Sequence, residues 1–175
     1  MTSEERMTPP GELLPTLEAL ARVLRRRRER IATAESCTGG MIAAACTDLP
    51  GSSEWFERGF VTYSNEAKHE LLGVDPHVLA REGAVSEAVA RAMAEGALAH
   101  APVDWSVAVT GIAGPGGATP GKPVGTVWLA VSGRGATTAQ GLRLDGGRAS
   151  VRAQTVAHAL HALRRAIEAS SEPRG

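Results

Sequence analysis

The sequence predicts an α/β protein: a three-layer α/β/α sandwich around a mixed, mostly parallel sheet with an antiparallel edge hairpin. Three observations predict it. Segments with apolar residues at helical spacing alternate along the chain with short strand-like segments, the order that builds a sheet covered on both faces. Near the end, "VGTVWLAVSG" and "TTAQGLRL" follow one another across a short turn around Gly133 to Gly135, which reads as a hairpin. A length of 175 residues, 43% of them hydrophobic, is enough to bury one core. A single domain over residues 11–170 is therefore expected, between a polar leader over 1–10 that ends in Pro9-Pro10 and a frayed tail over 171–175.

The elements follow in order. From Glu12 to Glu29, Leu13, Leu17, Leu20, Val23 and Leu24 recur at helical spacing and predict an amphipathic first helix. Its last turns read "RRRRER". Four consecutive arginines spread around a helix rather than forming one face, and cations are favoured at a helix C-terminus, so a nucleic-acid patch is the weaker reading. Ile31 to Ala34 is a short strand, and a helix is expected from about Thr38 to Thr47, stopped by Pro50 and Gly51. Phe60 to Ser64 alternates as a strand and runs into "NEAKHELLG", a short helix ended by Gly73. "AVSEAVARAMAEGALAHA" is another helix, with Ser86 as N-cap. A buried strand runs from about Trp105 to Val109, and a Gly/Pro-rich loop over Ile112 to Pro123 reads as a binding loop or lid. After the hairpin, Gly147 to Ala169 is a last helix with Val151, Val156, Leu160, Leu163 and Ile167 on one side.

Composition narrows the function classes. The chain carries 19 Lys plus Arg against 19 Asp plus Glu, so no global field draws it to nucleic acid or a membrane surface, and anion binding must be local. Aromatics make up 3%, too few for a base-stacking platform. No apolar window is long enough to span a membrane, and the N-terminal residues have no secretory pattern. Cys37 and Cys46 fit neither a zinc spacing nor a disulfide framework, so a reducing cytoplasm is expected. His69, His77, His100, His158 and His161 are scattered, and no metal set emerges.

In open α/β sheets, ligands collect beyond the carboxyl ends of the strands. That rule gathers Glu35 to Gly40, Tyr63 to Lys68, and Thr110 with Gly111 at one mouth. In "ESCTGG" a strand meets a helix through a tight turn, where Gly39 and Gly40 leave room for a ligand and unpaired amides of the first turn can hold an oxyanion or a phosphate. Ser36 or Thr38 can equally be a plain helix cap, and Cys37 is a second nucleophile or a small buried filler. A serine nucleophile needs a base, and no histidine is well placed. Lys68, in the first turn of its helix, can serve if the helix dipole and burial depress its pKa. Tyr63, the only tyrosine, sits where its hydroxyl can relay a proton or hold substrate. Arg148, at the start of the last helix behind Gly146 and Gly147, can hold a phosphate. Lys122 meets an anion or merely solvates its loop.

"AESCTGG", "GSSEWFERGFVTYSNEAK", "GAVSE", "VTGIAGPGG" and "KPVGTVW", in this order, resemble the CinA C-terminal domain family, whose stand-alone members act as nicotinamide mononucleotide deamidases. The match spans about Leu13 to Ile167. The resemblance implies an α/β/α fold, no metal and no cofactor, and hydrolysis of the carboxamide of nicotinamide mononucleotide to nicotinate mononucleotide and ammonia, a step of pyridine nucleotide salvage. It implies Ser36 as nucleophile, Tyr63, Lys68 and Thr110 as its catalytic company, and Arg148 with Gly111 and the Cys37, Thr38, Gly39, Gly40 turn as substrate-binding elements. It also implies a homo-oligomer. Longer members carry a further N-terminal domain resembling molybdopterin-binding proteins, which this sequence does not include. Two rivals stay open on fold grounds: a non-catalytic nucleotide-binding module, and an amidase for another small amide.

Overall fold

The computed structural model describes residues 13–171, so the leader expected over 1–10 and all but the first residue of the tail expected over 171–175 lie outside the described residues. In chain order the elements are α1 (Leu13–Arg27), β1 (Ile31–Glu35), α2 (Met41–Thr47), β2 (Phe56–Val61), α3 (Asn65–Leu72), α4 (Pro76–Glu82), α5 (Glu87–Ala99), β3 (Trp105–Gly111), β4 (Thr126–Gly133), β5 (Ala136–Arg143) and α6 (Arg148–Ala169). The five strands lie in the order β2-β1-β3-β4-β5. β1 runs parallel to both β2 and β3, β3 pairs antiparallel with β4, and β4 antiparallel with β5. Only β4 therefore opposes the other four, as a mostly parallel sheet with an edge hairpin requires. The hairpin turn is two residues, Arg134 at φ 54° and Gly135 at φ 75°. Positive φ at both positions defines the turn type whose twist suits a hairpin.

The strand pleat divides the core. Trp105, Val107 and Val109 of β3, with Leu129 and Val131 of β4, face α1, α2 and α6 through Leu20, Leu24, Ile42, Leu160 and Leu163. The opposite face of the sheet carries Ala34, Ala108 and Ala130 against Ala90, Met93, Ala94 and Ala97 of α5, joined by Leu72 of α3 and Leu79 of α4. Small residues on this second face let helix backbones approach. A β-carbon on Gly96 would lie 2.1 Å from the Leu72 carbonyl oxygen, so that position takes only glycine at the α3–α5 crossing.

Three elements differ from the sequence reading. The second strand begins at Phe56 and ends at Val61 rather than covering Phe60 to Ser64, and Ser64 is instead the N-cap of α3, its hydroxyl accepting from the Ala67 amide at 3.0 Å. α2 begins at Met41, not Thr38, because residues 36–40 wind into turns with Gly39 and Gly40 at positive φ. The helix α4 was not foreseen. Its signal is Asp75-Pro76, with the Asp75 carboxylate accepting from the His77 amide at 2.8 Å and proline in the first turn. Ser86 caps α5 as expected, accepting from the Val89 amide at 3.3 Å.

The arginine run at the end of α1 is tied into the fold. Arg25 donates to the Pro50 carbonyl, and Arg27 donates to the Ile167 carbonyl at 2.6 Å and to Ser170 Oγ at 2.9 Å. At the far pole of the sheet, buried Glu29 accepts from Trp105 Nε1 at 2.9 Å and pairs with Arg134 of the hairpin turn. No helix among the described residues is long and apolar enough to cross a membrane.

Candidate active site

The carboxyl ends of β1 and β3 and the segment after β2 converge, and the residue at the centre is Ser36. Its amide donates to the Val109 carbonyl at 3.1 Å, while the next segment is held by the Thr62 amide donating to the Glu35 carbonyl at 2.8 Å. These bonds continue the β2-β1-β3 ladder by one residue and fix where the chain leaves the sheet. Ser36 is then 8% exposed, at the floor of the mouth.

The helix that follows does not offer its first-turn amides to a ligand. The Glu35 carboxylate, buried on the α2 side of the sheet, accepts from the Ile42 amide at 2.8 Å, the Ala43 amide at 3.0 Å and Thr38 Oγ1 at 2.6 Å. Met41 donates to the Thr38 carbonyl and Ala44 to the Gly40 carbonyl. Glu35 is thus the cap of α2, and neither Ser36 nor Thr38 serves that purpose. A negative group at the positive end of a helix dipole is the favoured arrangement. Within the turn, the Gly39 amide donates to the Ser36 carbonyl at 3.1 Å. Thr38 is fully buried, and the Cys37 and Gly40 amides have no backbone acceptor.

Lys68 supplies the second half of the constellation. It lies in α3, four residues after the Ser64 cap, and its side chain runs inward so that the residue is 1% exposed. Its Nζ lies 3.1 Å from Ser36 Oγ and donates to the Thr62 carbonyl at 2.8 Å. Burial lowers the Lys68 pKa from its ordinary value, with the nearby Cys37 thiol acting weakly in the other direction. Among the described residues no carboxylate bonds to the amine, and a neutral amine is the form that burial favours. It can keep one N–H on the Thr62 carbonyl and turn its lone pair to the serine hydroxyl. The Ser36–Lys68 contact has the spacing that a serine nucleophile and an amine base require of each other.

Cys37 points away from this role. Burial pushes its thiol up to about 11, and a β-carbon added to Gly111 would lie 3.2 Å from its Sγ, so the thiol packs on the end of β3. The thiol is a small buried group beside Gly111, which leaves room for it. Cys46, in α2, is likewise a free, buried cysteine.

Arg148 and Tyr63 meet each other instead of Ser36. Arg148 Nη2 donates to the Tyr63 hydroxyl at 3.1 Å and Nη1 to the Gly114 carbonyl at 2.9 Å, so the guanidinium bridges the segment after β2 and the Gly/Pro-rich loop. Tyr63 is 63% exposed and stands in the loop between β2 and α3 rather than at the strand's end. Thr110 is buried on the α5 side, and its hydroxyl donates to the Ala84 carbonyl at 2.9 Å. It fastens the segment before α5 to the end of β3. The loop over residues 112–123 is pinned rather than free: Ile112 and Gly125 bond each other's neighbourhood, Thr119 pairs with Lys122, and Lys122 Nζ donates to the Glu82 carbonyl at 2.7 Å.

Arg152, one turn along α6 from Arg148, was missed by the sequence reading. Its Nε donates to the Cys37 carbonyl at 3.1 Å and its Nη2 to the Thr38 carbonyl at 3.3 Å. Among the described residues no group of three or more His, Cys, Asp and Glu is arranged to hold a metal ion. Two open grooves, about 730 Å³ between β5 and α6 and about 290 Å³ among α1, α2 and α6, lie away from Ser36 and Lys68.

Comparison with known proteins adds to this geometry. The CinA C-terminal domain model matches residues 15–167. A putative competence-damage inducible protein of Symbiobacterium thermophilum is 53% identical over 163 residues, covering 88% of this chain and 38% of its own length. The nicotinamide-nucleotide amidohydrolase PncC of Escherichia coli K12 is 50% identical over 154 residues, covering 87% of this chain and 93% of its own. This chain thus spans little more than a third of the first relative and nearly all of the second. The crystal structure of the competence damage-inducible protein A of Klebsiella pneumoniae superposes with a TM-score of 0.88 at 40% identity, covering 91% of this chain and 99% of that one.

Proposed function

Because the chain belongs to the CinA C-terminal domain family, and because a buried lysine amine rests on Ser36 Oγ at 3.1 Å, we propose that it is a nicotinamide-nucleotide amidase with a serine nucleophile. The substrate follows from the E. coli relative's activity. The chemistry follows from the dyad.

Neutral Lys68 takes the proton of Ser36 as Oγ attacks the carboxamide carbon of nicotinamide mononucleotide, and the carbonyl oxygen becomes an oxyanion held by the Cys37 and Gly40 amides. Loss of one such donor costs roughly 3–4 kcal/mol in the transition state. The lysine ammonium returns the proton to the departing nitrogen, so ammonia leaves and a nicotinoyl ester stays on Ser36. Lys68 next takes a proton from water, which attacks the ester, and returns it to Ser36 Oγ as the C–O bond breaks and nicotinate mononucleotide leaves. Every proton transfer passes through one amine, whose proton affinity burial lowers.

Arg148 and Tyr63 bind the 5′-phosphate at the rim, the guanidinium releasing the Tyr63 hydroxyl or the Gly114 carbonyl to donate to two phosphate oxygens. Gly111 keeps the floor open beside Cys37. Thr110 contributes by fixing the Ala84 carbonyl against the mouth. The protein works in the cytoplasm as a homo-oligomer, which light scattering on the purified chain tests.

Ammonia release is the direct assay. Purified protein is expected to release ammonia from nicotinamide mononucleotide faster than from nicotinamide, and Ser36→Ala and Lys68→Met each to lose roughly a thousandfold or more in kcat. Tight nucleotide binding without ammonia would leave a binding module. Equal turnover of nicotinamide would leave an amidase of another specificity.

A further inference from the structure

We propose that Arg152 is a positioning residue: it sets the Cys37 amide toward the reacting carbonyl by clamping the carbonyls of the turn, and it never touches substrate. The inference rests on the amidase reading above for its substrate, though not for its geometry.

The turn after Ser36 is three linked peptide planes, and each is trans, so within each plane the C=O and the next N–H point in opposite directions. Arg152 Nη2 holds the Thr38 carbonyl, and the partner of that carbonyl across the peptide is the Gly39 amide. Gly39 in turn donates to the Ser36 carbonyl, whose partner across its own peptide is the Cys37 amide. The middle plane is held directly, since Arg152 Nε takes the Cys37 carbonyl. Arg152 therefore bears on all three planes, two by contact and one by relay, and it shares the Thr38 carbonyl with the Met41 amide. Of the three amides in these planes only that of Gly39 has a backbone acceptor, and the Cys37 amide is the one next to the nucleophile.

The clamp also acts through charge. A cation on two carbonyls draws electron density through the peptides and makes their N–H groups better donors, the cooperativity expected of linked hydrogen bonds. Only a fork can do both jobs at once: Arg152 places two N–H groups on two successive carbonyls, which a single ammonium cannot match. Gly39 completes the fit. A β-carbon there would lie 3.7 Å from Arg152 Nη2, at a φ of +58° that a side chain rarely adopts. Arg148, four residues earlier on the same helix, does a different job, since its contacts are the rim residues Tyr63 and Gly114.

The two arginines thus divide kcat from KM, and that division is the test. Arg152→Met is expected to lower kcat about 10- to 100-fold with KM within about twofold of the parent, because a misaimed oxyanion donor is felt only in the transition state. The pH–rate midpoint stays where it was, Lys68 being untouched. Arg152→Lys recovers part of the loss. Arg148→Ala raises KM. An unchanged kcat in Arg152→Met, or a raised KM alone, overturns the assignment. If Arg152→Met does not fold, Arg152→Lys carries the test, and a kcat equal to the parent's refutes it. Phosphonylation of Ser36 by a fluorophosphonate, in which Oγ displaces fluoride and Lys68 takes the proton, reads the same donor without the nucleotide. It is expected to slow about tenfold in Arg152→Met, and equal rates overturn the inference. A parent that labels but releases no ammonia refutes the amidase reading while leaving the clamp standing.

Discussion

Replacing Glu35 by glutamine removes a charge and one acceptor from the most connected side chain of the site, and its cost can be worked from the contacts. The carboxylate accepts three hydrogen bonds, from Ile42, Ala43 and Thr38, with no solvent exposure. Hydrogen bonds to a charged group contribute about 1.5–3 kcal/mol each, and an unpaired buried donor costs about 1–3 kcal/mol. In Glu35→Gln the amide nitrogen must face either Ala43 or the Ile42–Thr38 pair, so at least one bond becomes a donor–donor contact and the others lose their charge. The net loss is about 3 kcal/mol. At about 2–4 °C per kcal/mol for a chain of this size, the thermal midpoint falls by about 6–12 °C. Scanning calorimetry of both proteins at pH 7 reads it, and kcat falls with it because the first turn of α2 sets the Ser36 turn. A midpoint within about 2 °C of the parent would refute Glu35 as the cap of α2.

Four further outcomes follow. The pH profile of kcat/KM rises to a plateau with an apparent pKa below that of a free lysine, because the proposed catalysis needs the neutral amine and burial lowers the Lys68 pKa. A rise only in the ordinary lysine range contradicts it. Lys68→Met is inactive yet melts at or above the parent at pH 7. The folded state disfavours the lysine's proton, so parent stability rises with pH until the unfolded chain also loses that proton near 10.4, and the gap between the two proteins narrows accordingly. Cys37 reacts with an aromatic disulfide at pH 8 only as fast as the protein opens, since burial holds its thiol up to about 11. Gly96→Ala destabilises by at least about 1–3 kcal/mol in urea unfolding, since its methyl meets the Leu72 carbonyl.

The layer architecture was legible because periodicity reports burial: the apolar stripe of α1 and the continuous apolar run of β3 can be read without coordinates. The meeting of Ser36 and Lys68 was legible too, since they follow strands whose carboxyl ends share one mouth. What escaped were features that depend on where the backbone turns. β2 was read four residues late because Phe60 to Ser64 alternates well, while its true start at Phe56 is set by pairing with Ile31. The cap of α2 comes from Glu35, six residues before the helix begins, and no local cap rule looks that far back. Arg152 lies more than a hundred residues from the turn it holds, so only the packing of α6 beside α2 reveals it. The contact of Arg148 with the Tyr63 hydroxyl was not legible either, because a hydroxyl's partner depends on the direction of a loop.

The central claim is that Ser36 carries the nicotinoyl group during turnover. Rapid acid quenching of the enzyme with saturating nicotinamide mononucleotide, followed by peptide mass spectrometry, should find a nicotinoyl ester on the peptide that contains Ser36, and none in Ser36→Ala. Ammonia release by Ser36→Ala at the parent's rate would contradict the account.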